Sequence, residues 1–142
     1  MSTEVRIPVR QLAGPTCEAT IRNHRVLIDR PEAKGGADAA PMGGELFVAS
    51  VGGCFMSNLI AAIKAREGSV TGSVTNLQTE VIGTADGAPL RFVSLELIVT
   101  ADTADRELLE KCVEIAERGC IMLNTLRDKL AIKVTVASPV AA

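Results

Sequence analysis

Two thiols stand 66 residues apart, Cys54 in "SVGGCFMSN" and Cys120 in "ERGCIMLNTL". Each follows glycine, and Cys120 lies beyond the end of the apolar stripe of its helix. An unperturbed thiol has a pKa of about 8.5 and is roughly 3% ionised at pH 7, so a reactive cysteine needs help from its surroundings. Gly52 and Gly53 allow close backbone approach and a local helix restart. Free N–H groups at such a restart would favour a Cys54 thiolate. Taken singly, every cysteine also reads as a small buried hydrophobe. Cys112 lies on an apolar helix stripe and Cys17 in a strand pattern, and both are expected to be packed residues without redox chemistry.

Metal binding is the rival use of thiols. No two cysteines have the short spacing of a zinc knuckle, and the only histidine, His24, falls in a probable-turn sequence, "RNHR". That lone histidine also argues against a Cys–His hydrolase. The Gly-rich stretch before Glu45 has no Lys-Ser/Thr and no strand-to-helix fingerprint, so phosphate binding there has weak support.

The elements that must position the thiols follow from periodicity. "VRIPVRQ", "TCEATIRN" and "HRVLIDR" read as three short strands, with Val26 and Ile28 on one face. Residues 31–44 form a long Pro/Gly/Ala loop, of a length that is usually functional in a compact domain. Residues 45–67 read as a helix whose apolar positions cover more than half its circumference, which predicts burial on most sides. "REGSVTG" ends it. Two longer strands, "VTNLQTEVIGT" and "LRFVSLELIVT", flank a hairpin loop "ADGAP". A second helix starts near Asp102 or Thr103 and ends at Gly119, "IMLNTLRDKL" adds a helical turn or two, and "AIKVTVAS" closes as a strand. The order β-β-β-α-β-β-α-β predicts one α+β domain over residues 1–142, largely antiparallel, around a buried central helix.

Composition removes other classes. With 15 basic and 17 acidic residues, a net charge of −2 and 2% aromatics, the chain lacks both the basic footprint and the stacking platforms of nucleic-acid binding. Residues 46–63 are uncharged and nearly long enough for a membrane span, but Ser50, Gly52, Gly53, Ser57 and Asn58 interrupt them. A core helix, and no membrane, is expected. "MSTEVRIPVR" has no apolar leader core, so a reduced, cytoplasmic setting is expected.

"GGADAAPMGGELFVASVGGC" resembles the segment of the OsmC/Ohr family in which a Gly-rich loop leads to a Glu-Leu pair and then a glycine-cysteine at a buried helix. "ERGCIMLNTL" resembles that family's second cysteine segment, and the similarity runs from about residue 3 to residue 138. Gly44 stands where a proline is customary before the Glu-Leu pair, and Ile121 replaces the proline after the second cysteine. No residue aligns cleanly with the arginine of the hydroperoxidase members; Arg10 is nearest, with Arg25 and Arg30 as competitors.

The resemblance implies a thiol peroxidase for organic hydroperoxides. Cys54 would become a sulfenic acid, Cys120 would resolve it as a Cys54–Cys120 disulfide, and a dithiol such as dihydrolipoamide would restore the pair. No metal, flavin or haem is needed. Glu45 would order the charges around the thiol; its plainer reading is a helix N-terminal acid. A carboxylate beside a thiolate opposes ionisation, so the implied role calls for a cation between them. The resemblance also implies an intertwined homodimer. Phe47, Phe55 and Met122 are candidates for an apolar lining that suits alkyl or lipid hydroperoxides. A second class of function stays open: an OsmC-like redox-responsive or ligand-binding module without efficient turnover.

Overall fold

The computed structural model describes residues 2–67 and 74–138. It divides into two compact units, one ending at Phe47 and one starting at Val48.

The first unit is a three-stranded antiparallel sheet, β1 (Val9–Ala13), β2 (Thr16–Ile21) and β3 (His24–Ile28), in that order. β1 starts later than "VRIPVRQ" suggested. Pro8 has no N–H to give a ladder, and its carbonyl instead accepts the Thr20 N–H at 3.0 Å. Val26 and Ile28 are both half-buried while Leu27 is exposed, as their alternation predicts.

The long loop after β3 is built on Asp29. Its side chain is 2% exposed, and Oδ2 accepts the N–H groups of Ala37 and Ala39 at 3.2 and 3.0 Å. The Asp29 N–H donates to Pro41 O, and the Asp38 N–H to Arg30 O, both at 3.0 Å. A Cβ on Gly36 would stand 1.9 Å from Arg30 O, so only glycine lets the loop lie this close. The Ala39 amide, followed by those of Arg30 and Ala37 and the Thr16 hydroxyl, holds the Asp29 carboxyl below its ordinary pKa against the opposing effect of burial. Oδ1 itself has no hydrogen-bond partner among the described residues. A carboxyl lowered in this way adds stability above its unfolded pKa of about 3.9, and that stability is lost as pH falls through the folded value. Asp29→Asn is therefore expected to lower the melting temperature at neutral pH and to flatten its fall below about pH 4, which thermal melts across pH would measure.

Helix α1 (Gly43–Glu67) belongs to the first unit up to Phe47 and to the second from Val48. The expected terminator "REGSVTG" falls largely on residues 68–73, outside the described residues. In the second unit, α1 is followed by β4 (Thr75–Asp86), β5 (Arg91–Asp102), α2 (Arg106–Gly119), α3 (Ile121–Leu126) and β6 (Ala131–Val136). β4 and β5 are antiparallel, and β6 lies parallel to β5 on its other side. A parallel partner requires a crossover, which α2 and α3 supply.

α2 begins later than Asp102 or Thr103. β5 continues through Asp102, and Asp105 caps the helix by accepting the Leu108 N–H at 2.9 Å. Its apolar stripe, Leu108, Leu109, Cys112, Val113 and Ala116, joins Leu95, Leu97 and Val99 of β5 in the core.

α1 contributes Val51, Phe55, Leu59, Ala62 and Ile63 to that core. Burial on most sides is not what the structure shows. Ala49, Ser50, Gly53, Ser57, Ile60 and Ala61 are exposed, Ile60 by 53%. One chain has a single layer of strands and helices to offer this unit of α1, enough for one stripe only. By length and composition alone α1 is apolar enough to cross a membrane, with 28% of its most apolar window buried.

Candidate active site

Cys54 sits in the middle of α1, half-buried. The helix runs through Gly52 and Gly53 without a break, so the expected restart does not occur. The free N–H groups of a helix start lie far from the thiol, and a dipole effect confined to the first turn does not reach it. Gly52 has a different use. A Cβ there would stand 2.8 Å from Val81 Cγ2, so its absence lets α1 approach β4 closely, whereas Gly53 has no such neighbour. Gly52→Leu is expected to destabilise the fold by about 1–3 kcal/mol through overpacking, read as a lower denaturation midpoint.

Cys120 is fully buried and occupies the turn between α2 and α3, with φ −80° and ψ 112°. Burial pushes its thiol pKa up; the Leu123 and Met122 amides pull it down, and Cys54 raises it further by hydrogen bonding and charge. The Cys120 thiol therefore stands close enough to Cys54 for the two to interact. The two cysteines that the sequence singles out thus meet, as free thiols.

The other two take no part in this contact. Cys112 is fully buried in the core, and burial raises its pKa against the smaller effects of Arg66 and Lys111. Cys17 is half-buried on β2, with Sγ 3.7 Å from Pro15 O. It lines a cavity of about 630 Å³ with Asp29, Arg30, Lys34 and Gly44.

Glu45 lies in the first turn of α1, and its Oε1 accepts the Met42 N–H at 2.9 Å. That is the helix N-terminal role. Of the candidate arginines, Arg10 is paired with Glu18 at 3.2 Å, while Arg25 and Arg30 are exposed. The apolar lining needs correction as well. Phe55 is 0% exposed inside the core, on the α1 stripe, and cannot face a substrate; Met122 is half-buried against the same core. Among the described residues, no three His, Cys, Asp or Glu side chains gather as metal ligands.

Sequence reasoning passed over Asn58. Its Nδ2 donates to the Cys54 carbonyl at 2.9 Å. The available signal was its i+4 spacing from Cys54 on a helix.

Residues 35–136 match the family described as OsmC-like protein. The chain belongs to the OsmC-like family. That span holds both cysteine segments and every element from the long loop to β6. The OsmC-like fold extends over the remaining residues too. The crystal structure of the OsmC-like protein from Mycoplasma pneumoniae superposes with a TM-score of 0.81 at 14% identity, covering 97% of this chain and 99% of that one. An organic hydroperoxide resistance protein from Elizabethkingia anophelis gives 0.69 at 22% identity, covering 97% and 99%. The organic hydroperoxide resistance protein OhrB of Bacillus subtilis gives 0.64 at 18%, covering 95% and 98%. No curated protein matches the sequence significantly.

Proposed function

We propose that this OsmC-like protein reduces organic hydroperoxides to alcohols with the Cys54–Cys120 pair. The observation that carries the reading is the proximity of a half-exposed thiol on α1 to a fully buried thiol at the α2–α3 turn. Membership of a family that includes organic hydroperoxide resistance proteins supports it.

The Cys54 thiolate attacks the terminal oxygen of the hydroperoxide, the O–O bond breaks, and the leaving alkoxide takes up a proton as the alcohol. Cys54 becomes a sulfenic acid. Cys120 then attacks that sulfur; the S–S bond forms, the S–OH bond breaks and water leaves with the Cys120 proton. A dithiol such as dihydrolipoamide exchanges with the disulfide, returns both thiols and is itself oxidised to a disulfide. Neither a metal nor an organic cofactor enters these steps. Glu45 is proposed to act on the thiol only through a cation between them, in addition to its bond to Met42.

The exposed apolar face of α1 and the exposed Val9 and Leu12 of β1 support a homodimer in which a second copy covers them, in the cytoplasm. Sedimentation is expected to give twice the 14.9 kDa chain mass; a monomer at micromolar concentration would remove this part of the reading.

Sustained consumption of cumene hydroperoxide by the reduced protein with excess dihydrolipoamide tests the activity. A redox-responsive or ligand-binding module is the second reading, favoured by Arg10 being engaged with Glu18 and Glu45 with Met42. If wild-type protein consumes no hydroperoxide and Cys54 stays unmodified on mass analysis, the second reading replaces the first.

A further inference from the structure

Asn58 touches both sides of the thiol pair. Its Nδ2 donates to the Cys54 carbonyl at 2.9 Å. At its other end, Oδ1 lies 3.4 Å from the point where a Cβ on Gly119 would stand, and Cγ 3.9 Å from it. Gly119 is the last residue of α2 and the immediate neighbour of Cys120. Its φ is not positive, so backbone conformation does not require glycine there. The space beside it is taken up by the Asn58 amide.

The amide is therefore bonded to the peptide of one cysteine and packed beside the residue preceding the other. A primary amide on the half-buried side of an otherwise uncharged run carries a desolvation cost that a leucine would avoid, and it is offset only where the amide is bonded. Asn58 stands between the backbones that carry the two thiols, bonded on the Cys54 side and in close packing on the Gly119 side.

We propose that Asn58 is a positioning residue that sets the spacing for closure of the Cys54–Cys120 disulfide. The proposal deepens the reading of this pair as a redox couple. Disulfide geometry is demanding, with Cα–Cα usually about 4.4–6.8 Å, and misplacement of reacting groups by about 1 Å costs up to about a hundredfold in rate. Asn58 acts on the closing step, not on the first attack by Cys54, because its contacts are to the backbone on the Cys120 side and to the Cys54 carbonyl.

The test compares wild type, Asn58→Ala and Asn58→Leu as full-length reduced protein. Closure is driven by diamide, which removes two electrons and two protons from the thiol pair and becomes the hydrazine. Disulfide appearance is followed by mass analysis of acid-quenched samples. Alkylation of Cys54 by iodoacetamide is measured in parallel, and thermal melts check folding. The leucine fills the volume of the amide without its hydrogen bond, so it guards against simple collapse of the site. Closure slower by about tenfold or more in both variants, with Cys54 alkylation within about twofold of wild type, is the expected result. Closure at the wild-type rate in folded Asn58→Leu, or an equal slowing of closure and alkylation, overturns the proposal. Diamide makes the outcome independent of peroxide chemistry. Wild-type protein that closes with diamide but turns over no hydroperoxide would sink the peroxidase reading while leaving the role of Asn58 intact.

Discussion

Cys54→Ser is expected to abolish consumption of cumene hydroperoxide, by about three orders of magnitude or more, whereas Cys120→Ser is expected to leave about one equivalent consumed per chain before turnover stalls. The asymmetry follows from where the sulfurs lie. Cys54 is half-exposed and Cys120 is fully buried, so a hydroperoxide meets Cys54 first. A serine hydroxyl at position 54 lacks the thiolate that attacks an O–O bond. Without Cys120 the first step survives and the sulfenic acid accumulates, open to trapping by dimedone or to further oxidation to the sulfinic acid. Single-turnover assays with mass analysis separate the cases. If Cys120→Ser also fails to consume the first equivalent, the roles of the two thiols are reversed or shared, and the proposed order of steps is wrong.

Much of this arrangement was legible in the residues. The alternation in "LRFVSLELIVT" put Leu95, Leu97 and Val99 on one face, and that face is the core of the second unit. The stripe of α2 and its end at Gly119 were equally plain, because a 3.6-residue period in a single amphipathic helix has one interpretation. Cys54 and Cys120, which the two segments carry, lie close to each other. What failed was inference from glycines and from a helix that is apolar all round. Gly52-Gly53 reads as a break, yet α1 passes straight through it. Glycine in a helix serves close packing as well as kinking, and the Val81 side chain that demands Gly52 is 29 residues away in sequence. Similarly, Pro8 moved the start of β1 by lacking an N–H, and Asp105 moved the start of α2 through one cap hydrogen bond. Asp29 was invisible as the anchor of the long loop, because its partners are backbone amides 8 and 10 residues on.

The largest stability effect is expected at the residue beside Cys54. Phe55 follows Cys54 in sequence, and its place in an apolar run made it a candidate wall of a substrate pocket. Its side chain instead points into the core with Val51 and Leu59, 0% exposed. Adjacent helix positions are about 100° apart, so a half-exposed Cys54 and a buried Phe55 are compatible on one turn. Truncating a buried phenylalanine removes its transfer free energy and leaves a cavity, at a cost of about 3–5 kcal/mol. Against a total stability of about 5–15 kcal/mol, that is a fall of about 10–15 °C in melting temperature for a chain of this length. The two roles for Phe55 then separate cleanly. As a core residue, Phe55→Ala unfolds at markedly lower temperature but, below its transition, keeps the wild-type ratio of rates for cumene hydroperoxide and hydrogen peroxide. As a pocket wall it would do the reverse, with a near-normal melt and a shifted ratio. Thermal melts and the two peroxide assays on one preparation decide between them, and the burial of Phe55 predicts the first pattern.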